Sequence, residues 1–368
     1  MLKVRNSPDT FLVFFVGALL ICGFVIFVSA SLGLLARSNI SVFSIALNHI
    51  FLGIFGGLIV AYFVSRIQYR IWKKWAPHLF IASAALTALV FIPGLGLESG
   101  GGTRWLLIGP ISFQPGEALK IGTILFLAAY LAKHRTRLGD WQYGLGGFLA
   151  ILAVPTTILL LQPDTGTLII IVASAAAMFL AAGAKWKHIG VIVLIGIIGI
   201  GALMVTRPYV LDRFTSFLNP FSDPQGASYQ VRQSLIAVGS GGTFGRGFGQ
   251  SIQKFSYLPE PMSDSIFAVA AEEFGFLGSV TIVGLFIGFA SRGFSIAARA
   301  PDYFGAVLAT GITTYIVGQA FINIAAMLSL APLTGIPLIF ISQGGTAMLI
   351  ALGSVGILLN ISRYAKAK

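Results

Sequence analysis

The stretch HIGVIVLIGIIGIGALMVT, residues 188–206, contains no Asp, Glu, Lys or Arg. Lys185 and Lys187 precede it, and Arg207 follows it. A helix needs about 20 predominantly apolar residues to cross the hydrocarbon core of a bilayer. This run meets that need, and it sets the scale for the rest of the chain. Nine further segments compare with it: 11–33, 43–64, 77–95, 117–133, 143–161, 166–183, 265–290, 303–329 and 337–360. Pro155 interrupts one of them, and only residues 162–165 separate it from the next, so 143–183 reads as a tight hairpin. The expected fold is an all-α integral membrane protein of about ten transmembrane helices, organised as one polytopic domain over residues 1–368.

Composition agrees. The 368 residues are 56% hydrophobic and 10% charged, and the mean hydropathy is +0.90. A soluble chain of this length has too little interior to hide so much apolar side chain. The formal net charge of +12 raises nucleic acid as a partner, but the basic residues fall in short clusters between apolar runs. That is the pattern of membrane topology signals, so no nucleic-acid partner is expected. With the N-terminus in the cytoplasm, most of the 24 Lys and Arg lie on the cytoplasmic side. Lys3 and Arg5, Arg66 to Lys74, Lys133 to Arg137, Lys185 and Lys187, Arg292 and Arg299, and Arg363 to Lys368 mark successive cytoplasmic segments. Both termini are then cytoplasmic. The first apolar run is too long for a signal peptide and has no small-residue cleavage site, so it reads as a retained span. Cys22 stands alone and has no intrachain disulfide partner.

Residues 207–264 form one long extracytoplasmic connection between the seventh and eighth spans. Within it, SYQVRQSLIAVGSGG (residues 228–242) has the pattern of a short helix at the outer leaflet, ended by Gly239 and Gly241. GSGGTFGRGFG (residues 239–249) contains G-x-G but follows no strand, which excludes a dinucleotide fold; its glycines let the loop turn sharply beside the membrane. There is no P-loop, and His49, His78, His134 and His188 have no metal-binding spacing.

The chain has twelve acids, so their positions are informative. Glu117, Glu272 and Glu273 fall within spans, where an ionisable group costs roughly 2.5–3.5 kcal/mol on insertion scales. Glu117 and Lys120 share a helix face; they make either a structural ion pair or the floor of a cavity open to the outside. Asp264 follows Pro259 and Pro261 and immediately precedes an apolar run. It suits a helix N-terminus for capping reasons alone, and equally suits a base acting on a ligand at the outer interface. Glu272 lies about 12 Å deeper by helical rise, and Glu272 and Glu273 are expected to bond to neighbouring helices. These features leave two classes open: an enzyme acting on a lipid-linked substrate, or a transporter.

Five long stretches carry a family resemblance: TRWLLIGPISFQPGEALK, LLQPDTGT, RFTSFLNPFSDPQGASYQVRQSLIAVGSGGTFGRGFGQS, QKFSYLPEPMSDSIFAVAAEEFG and NIAAMLSLAPLTGIPLIFISQGGTA. In this order the chain resembles the SEDS family (shape, elongation, division and sporulation) over nearly its whole length. QSIQKFSYLPE is nearer the division, FtsW-like branch than the elongation, RodA-like branch. The resemblance implies a peptidoglycan glycosyltransferase of the bacterial cytoplasmic membrane. Such an enzyme polymerises lipid II, the undecaprenyl-pyrophosphate-linked disaccharide pentapeptide, on the outer face, working with a class B penicillin-binding protein as transpeptidase. The family's essential aspartate falls on Asp264. Its motif, Glu-x-His-Thr/Ser-Asp-Phe-Ile-Phe, is matched by Glu260, Ser263, Asp264, Ile266 and Phe267, whereas Met262 replaces the His and Ser265 the first Phe. Gln343 stands where Tyr is usual, and Ser329 where Gly is usual.

Glycosyl transfer of this kind needs a carboxylate to take a sugar hydroxyl proton and cations to stabilise the leaving pyrophosphate. The expected general base is Asp264. Arg104, Glu117, Lys120, Arg213, Gln233, Ser234, Lys254 and Glu260 are the expected substrate-binding residues, with Arg104, Lys120, Arg213, Arg232, Arg246 and Lys254 as outward-facing cations. A divalent cation, Mg or Mn, is compatible with the chemistry; no organic cofactor is expected. A lipid II flippase and a weakly active scaffold for the transpeptidase are the alternative readings.

Overall fold

The computed structural model describes residues 7–37, 46–99, 102–108, 111–221 and 228–365. Lys3, Arg5, Asp223, Lys366, Lys368 and the start of the expected second span lie outside the described residues. In chain order the helices are α1 (Thr10–Arg37), α2 (Asn48–Arg66), α3 (Arg70–Phe91), α4 (Pro115–Lys133) and α5 (Trp141–Leu161). There follow α6 (Thr165–Ala181), α7 (Trp186–Thr206), α8 (Pro208–Leu218) and α9 (Tyr229–Ser240). The last three are α10 (Ile266–Ala298), α11 (Tyr303–Met327) and α12 (Gly345–Arg363). Among the described residues, nine helices are long and apolar enough to cross a membrane. The shorter apolar helix α6, with 17 residues, is at the lower limit for spanning.

Burial orders the bundle. In α4, α11 and α12, 67%, 61% and 72% of the most apolar window is buried, against 6% in α7. The first three are therefore central, and α7 is peripheral. Val193, Ile197 and Ile198 on α7 are more than half exposed, as expected of a helix whose solvent is lipid.

Three departures from the sequence-based expectation have physical causes. First, a small antiparallel sheet joins α3 to α4: β1 (Gly96–Ser99), β2 (Gly102–Ile108) and β3 (Ile111–Phe113), in the order β1-β2-β3. The transmembrane bundle is helical as expected, and the sheet is an addition in one connection. The sequence pairs Gly100–Gly101 and Gly109–Pro110 are turn signals between short β-prone runs, and span-counting passes over them. Second, α12 begins at Gly345, not at 337. Pro332, Gly335 and Pro337 keep the preceding stretch out of the helix, although hydropathy alone reads it as one apolar run. Third, the long connection carries α8 as well as the expected α9, which is capped at Gly241.

Ser329 ends the turn after α11 with φ 53, in the left-handed region that favours glycine. That is the physical reason a glycine suits this position. Ser329→Gly is expected to stabilise the fold by about 0.5–1 kcal/mol, read as a higher melting temperature in detergent; an unchanged or lower value contradicts it.

Helix α10 is broken at Gly275 (φ 65, ψ −161). In an unbroken helix the carbonyls of Glu272 and Glu273 would accept from the amides of Phe276 and Leu277. Here Arg246 N and Gly247 N donate to those carbonyls, each at 3.0 Å, while Phe276 N and Leu277 N donate to Gly242 O and Thr243 O at 2.9 and 3.2 Å. The loop thus satisfies all four groups. A Cβ at Gly275 would collide with the backbone of Thr243 to Gly245, so the close approach requires glycine.

Far from Asp264, at the other end of α10, Asp302 caps α11 through Gly305 N and accepts from Tyr69 Oη at 2.7 Å and Arg70 Nε at 2.9 Å. Burial alone would raise the Asp302 carboxyl, but these donors together with Arg70's charge hold it below the usual value. Asp9 pairs with Arg292 in the same region.

Candidate active site

The approach to Asp264 is built by turns. Pro259 and Pro261 exclude helix, and Glu260 adopts φ 46. The Glu260 carbonyl then accepts from Ser263 N and Ser265 N, both at 3.1 Å. Ser265 forms the N-cap of α10, and its Oγ accepts from Gln230 Nε2 at 3.0 Å. Asp264 is therefore delivered at the head of a span without serving as its cap.

Asp264 faces a pocket of about 270 Å³. Tyr209, Asp212 and Arg213 of α8 line it, with Gln230 of α9 and Asn323, Ala326 and Met327 of α11; Leu333 to Ile336 form a non-helical wall. Arg213 Nη1 donates to Thr334 O at 3.1 Å, and a Cβ on Gly335 would sit 3.4 Å from Arg213 Nη2 and 3.6 Å from Asp264 Oδ2. Carboxylate and guanidinium thus flank Gly335, whose φ of 69 is the conformation that glycine permits. A larger cavity of about 350 Å³ lies among α2, α3, α4 and α12. Its lining carries no ionisable carboxyl or basic group, whereas the smaller pocket carries Asp212, Arg213 and Asp264.

The field at Asp264 has several sources. Burial, its largest cause, pushes the carboxyl up to about 6; Glu260 adds to this, while the Ser263 hydroxyl and the cations of Arg213 and Arg104 oppose it. Ser263 Oγ donates to Oδ1 at 3.1 Å. The guanidinium of Arg213 is lowered by burial and by repulsion from Arg104. Arg104 is held on the α5–α6 hairpin, where its Nη2 donates to Pro163 O at 2.5 Å.

The expected site residues therefore separate. Asp264 and Arg213 line the pocket; Arg104 and Glu260 act on Asp264 through charge. Gln233 and Ser234 are buried on α9. Ser234 Oγ donates to Gln230 O at 2.9 Å and lies 3.4 Å from Met327 Sδ, so it backs the pocket, and Gln230 is the residue that lines it. Glu117 and Lys120 are both 1% exposed and 2.8 Å apart. Lys120 also donates to Gln319 Oε1 at 2.6 Å. The pair is buried behind the wall, neither member lines the pocket at Asp264, and Lys120 does not face outward.

Lys254 does not face outward either. It is fully buried, with Nζ 2.6 Å from Glu273 Oε1 and 2.8 Å from Ser29 Oγ. Glu272 accepts from Ser251 Oγ at 2.6 Å and from Ile252 N at 3.1 Å, and its Oε1 lies 3.5 Å from Arg246 Nε. The two glutamates thus bind chiefly the loop before α10, and among the described residues Ser29 joins them to a neighbouring helix. A carboxylate pair inside a span reads from sequence as helix glue; the docked glycine loop is what it holds.

Asn323, Gln230, Tyr209 and Asp212 escape the sequence reading. An inventory of charges overlooks amides, although a polar Asn323 inside an apolar run is itself a signal. Gln230 stands one helical turn before Ser234, on the same face.

The sequence profile of the FtsW, RodA and SpoVE cell cycle proteins matches residues 10–367. The chain belongs to the FtsW/RodA/SpoVE family. It is 40% identical over 367 residues to stage V sporulation protein E of Bacillus subtilis (strain 168), covering 100% of both chains. It is also 40% identical over 296 residues to a probable peptidoglycan glycosyltransferase FtsW of Geobacter sp. (strain M18), covering 80% of this chain and 81% of the relative. Among solved structures, a chain from a peptidoglycan synthase complex that coordinates polymerization and crosslinking aligns with TM-score 0.78 and 28% identity, over 98% of this chain and 99% of that one. The rod shape determining protein RodA of Thermus thermophilus aligns with TM-score 0.71 and 26% identity, again over 98% and 99%. The FtsW/RodA/SpoVE assignment makes this a multi-pass membrane protein, in agreement with its apolar helices.

Proposed function

We propose that this chain is a peptidoglycan glycosyltransferase that polymerises lipid II at the outer face of the cytoplasmic membrane, with Asp264 as general base. The observation that carries the reading is that the Asp264 carboxylate and the Arg213 guanidinium flank Gly335 in one pocket. The activity is the one that FtsW relatives bear in their names. Asp264 takes the proton of the acceptor sugar's 4-hydroxyl as that oxygen attacks the anomeric carbon of the donor. The bond to pyrophosphate breaks, and Arg213, with Arg104 behind it, stabilises the departing charge. The pocket, about 270 Å³, is at the small end for a binding site, so it encloses the reacting sugar and phosphate while the peptide and lipid tail lie outside it. A class B penicillin-binding protein supplies the crosslinking step.

The donor set bears on the metal. Among the described residues no three His, Cys, Asp or Glu side chains stand together, but Asp212 and Asp264 line the same pocket. Mg²⁺ is commonly held by one or two carboxylates together with substrate phosphates, so Asp212, which the base assignment does not use, would suit a cation that arrives with the pyrophosphate. There it would neutralise charge on the leaving group.

The assay is lipid II polymerisation by the purified chain in detergent, with and without a co-purified transpeptidase and with and without Mg²⁺ or Mn²⁺. Glycan formation without a second compartment supports the enzyme over a flippase; no polymer under any of these conditions removes the reading. A base must be ionised to act, so kcat/KM is expected to fall tenfold per pH unit below about 6 and to level off above it. A flat profile from acid to neutral pH rules Asp264 out as the titrating base.

A further inference from the structure

Three successive carbonyls in the loop that carries Asp264 are each taken by a donor from elsewhere in the chain. Gln343 N donates to Met262 O at 2.7 Å, Ser342 Oγ to Ser263 O at 2.6 Å and Asn323 Nδ2 to Asp264 O at 2.8 Å. The opposing wall is held in the same manner. Arg213 donates to Thr334 O at 3.1 Å, Asn323 Nδ2 to Ile336 O at 2.8 Å and Gln319 Nε2 to Pro337 O at 3.0 Å. Among these donors, Asn323 belongs to both series. It is 2% exposed and stands one helical turn from Gln319 on α11, whose amide is itself oriented by the Lys120 ammonium.

The chemistry narrows the choice of side chain. Joining two carbonyl oxygens at one point takes a nitrogen with two protons. A primary amide does this without charge. Lys or Arg would bring a cation against Asp264 and favour its ionised form, and Ser or Thr has one proton to give. The opposite amide orientation would set Oδ1 against both carbonyl oxygens. In the orientation present, Oδ1 is buried with no hydrogen-bond partner among the described residues. A buried orphan acceptor opposes folding, so the two donated bonds are kept against a cost in stability.

We infer that Asn323 is a positioning residue for glycosyl transfer: it pins the Asp264 backbone to the wall at Ile336 and so fixes the carboxylate relative to Gly335 and Arg213. The inference rests on the reading of Asp264 as general base. Both amide protons are spent and the side chain is buried, so Asn323 acts through Asp264 and not on the substrate. Its loss therefore reaches kcat and leaves KM in place.

The test compares lipid II polymerisation by the full chain with that of Asn323→Ala, Ser342→Ala and Asp264→Asn, measuring kcat and KM across acid to neutral pH together with melting temperature. Asn323→Ala is expected to lower kcat about 10- to 100-fold, the scale set by a misplacement of about 1 Å, with KM within about threefold of wild type. Its acid limb should move to lower pH as the freed carboxylate gains solvent. A residue that only supports the fold would lower melting temperature and active fraction without moving that limb. Should Asn323→Ala not fold, Ser342→Ala tests the same clamp and is expected to give the same pattern at smaller amplitude. A folded Asn323→Ala with wild-type kcat, or with a loss confined to KM, overturns the inference, as does an unchanged limb; if only Ser342→Ala folds, wild-type kcat and limb in that variant overturn it. Normal polymerisation by Asp264→Asn removes the base assignment as well, which separates that failure from one confined to Asn323.

Discussion

Asp264→Asn is expected to lose polymerisation by about 10²–10⁴-fold, the contribution typical of a positioned general base, and at the same time to melt higher than the wild type. The two effects share one cause. Burial raises the Asp264 carboxyl to about 6 from its ordinary value of 3.8, so the folded chain binds this proton more tightly than the unfolded chain. Stability therefore falls as pH rises through that interval, and above about 6 the full penalty of the ionised group is present. Asn keeps the shape and removes the charge. At neutral pH the gain should be on the order of 1–2 kcal/mol after allowance for partial solvent contact, and it should vanish as pH drops below the ordinary carboxylate value. Polymerisation assays and melting curves at several pH values check both halves. A variant that stays active sinks the base assignment; one that is inactive and less stable indicates that the carboxylate holds the fold.

Lys254→Met should be among the most damaging single substitutions outside the pocket. It strands the Glu273 carboxylate, whose Oε1 is shared by Lys254 Nζ at 2.6 Å, Ser29 Oγ at 2.6 Å and Ser251 N at 3.3 Å. Removing one partner of a buried pair typically costs about 3–5 kcal/mol, whereas replacing both with apolar groups of similar volume is often neutral. The double variant Lys254→Met/Glu273→Leu should therefore recover most of the loss. Chromatographic melting curves in detergent distinguish the cases, and a single variant that melts with the wild type would show that the pair contributes nothing. The pair ties α1 to the loop before α10, so destabilisation should also weaken the approach to Asp264.

The spans were legible because they depend on composition over about 20 residues, a quantity a sequence states directly. Asp264 was legible for a related reason: an acid placed between two prolines and an apolar run is locally unusual. Long-range pairings were not. Lys254 and Arg213 are both cations in one polar connection, yet one is sealed against Glu273 and the other faces Asp264. Which carboxylate each meets is decided by tertiary contact, and nothing in the local sequence distinguishes them. Asn323 was hidden for a different reason. Neutral amides barely disturb a hydropathy profile, while in a water-poor interior their hydrogen bonds decide the path of any irregular backbone. The wall from Leu333 to Pro337 was concealed in the same way, because it is apolar without being helical.

The exchange of hydrogen bonds at Gly275 has a consequence for biogenesis. The residues that complete α10 at its break, 242–247, precede it in the chain and leave the ribosome first. Bare amides and carbonyls left in the hydrocarbon core would each cost several kcal/mol, so the helix cannot settle in the membrane with its gap open. A partner synthesised earlier is already on hand when Gly275 arrives. Transplanting 241–254 to a position after α10 would keep the composition and reverse that order, leaving the newly made helix to wait for its own missing rungs.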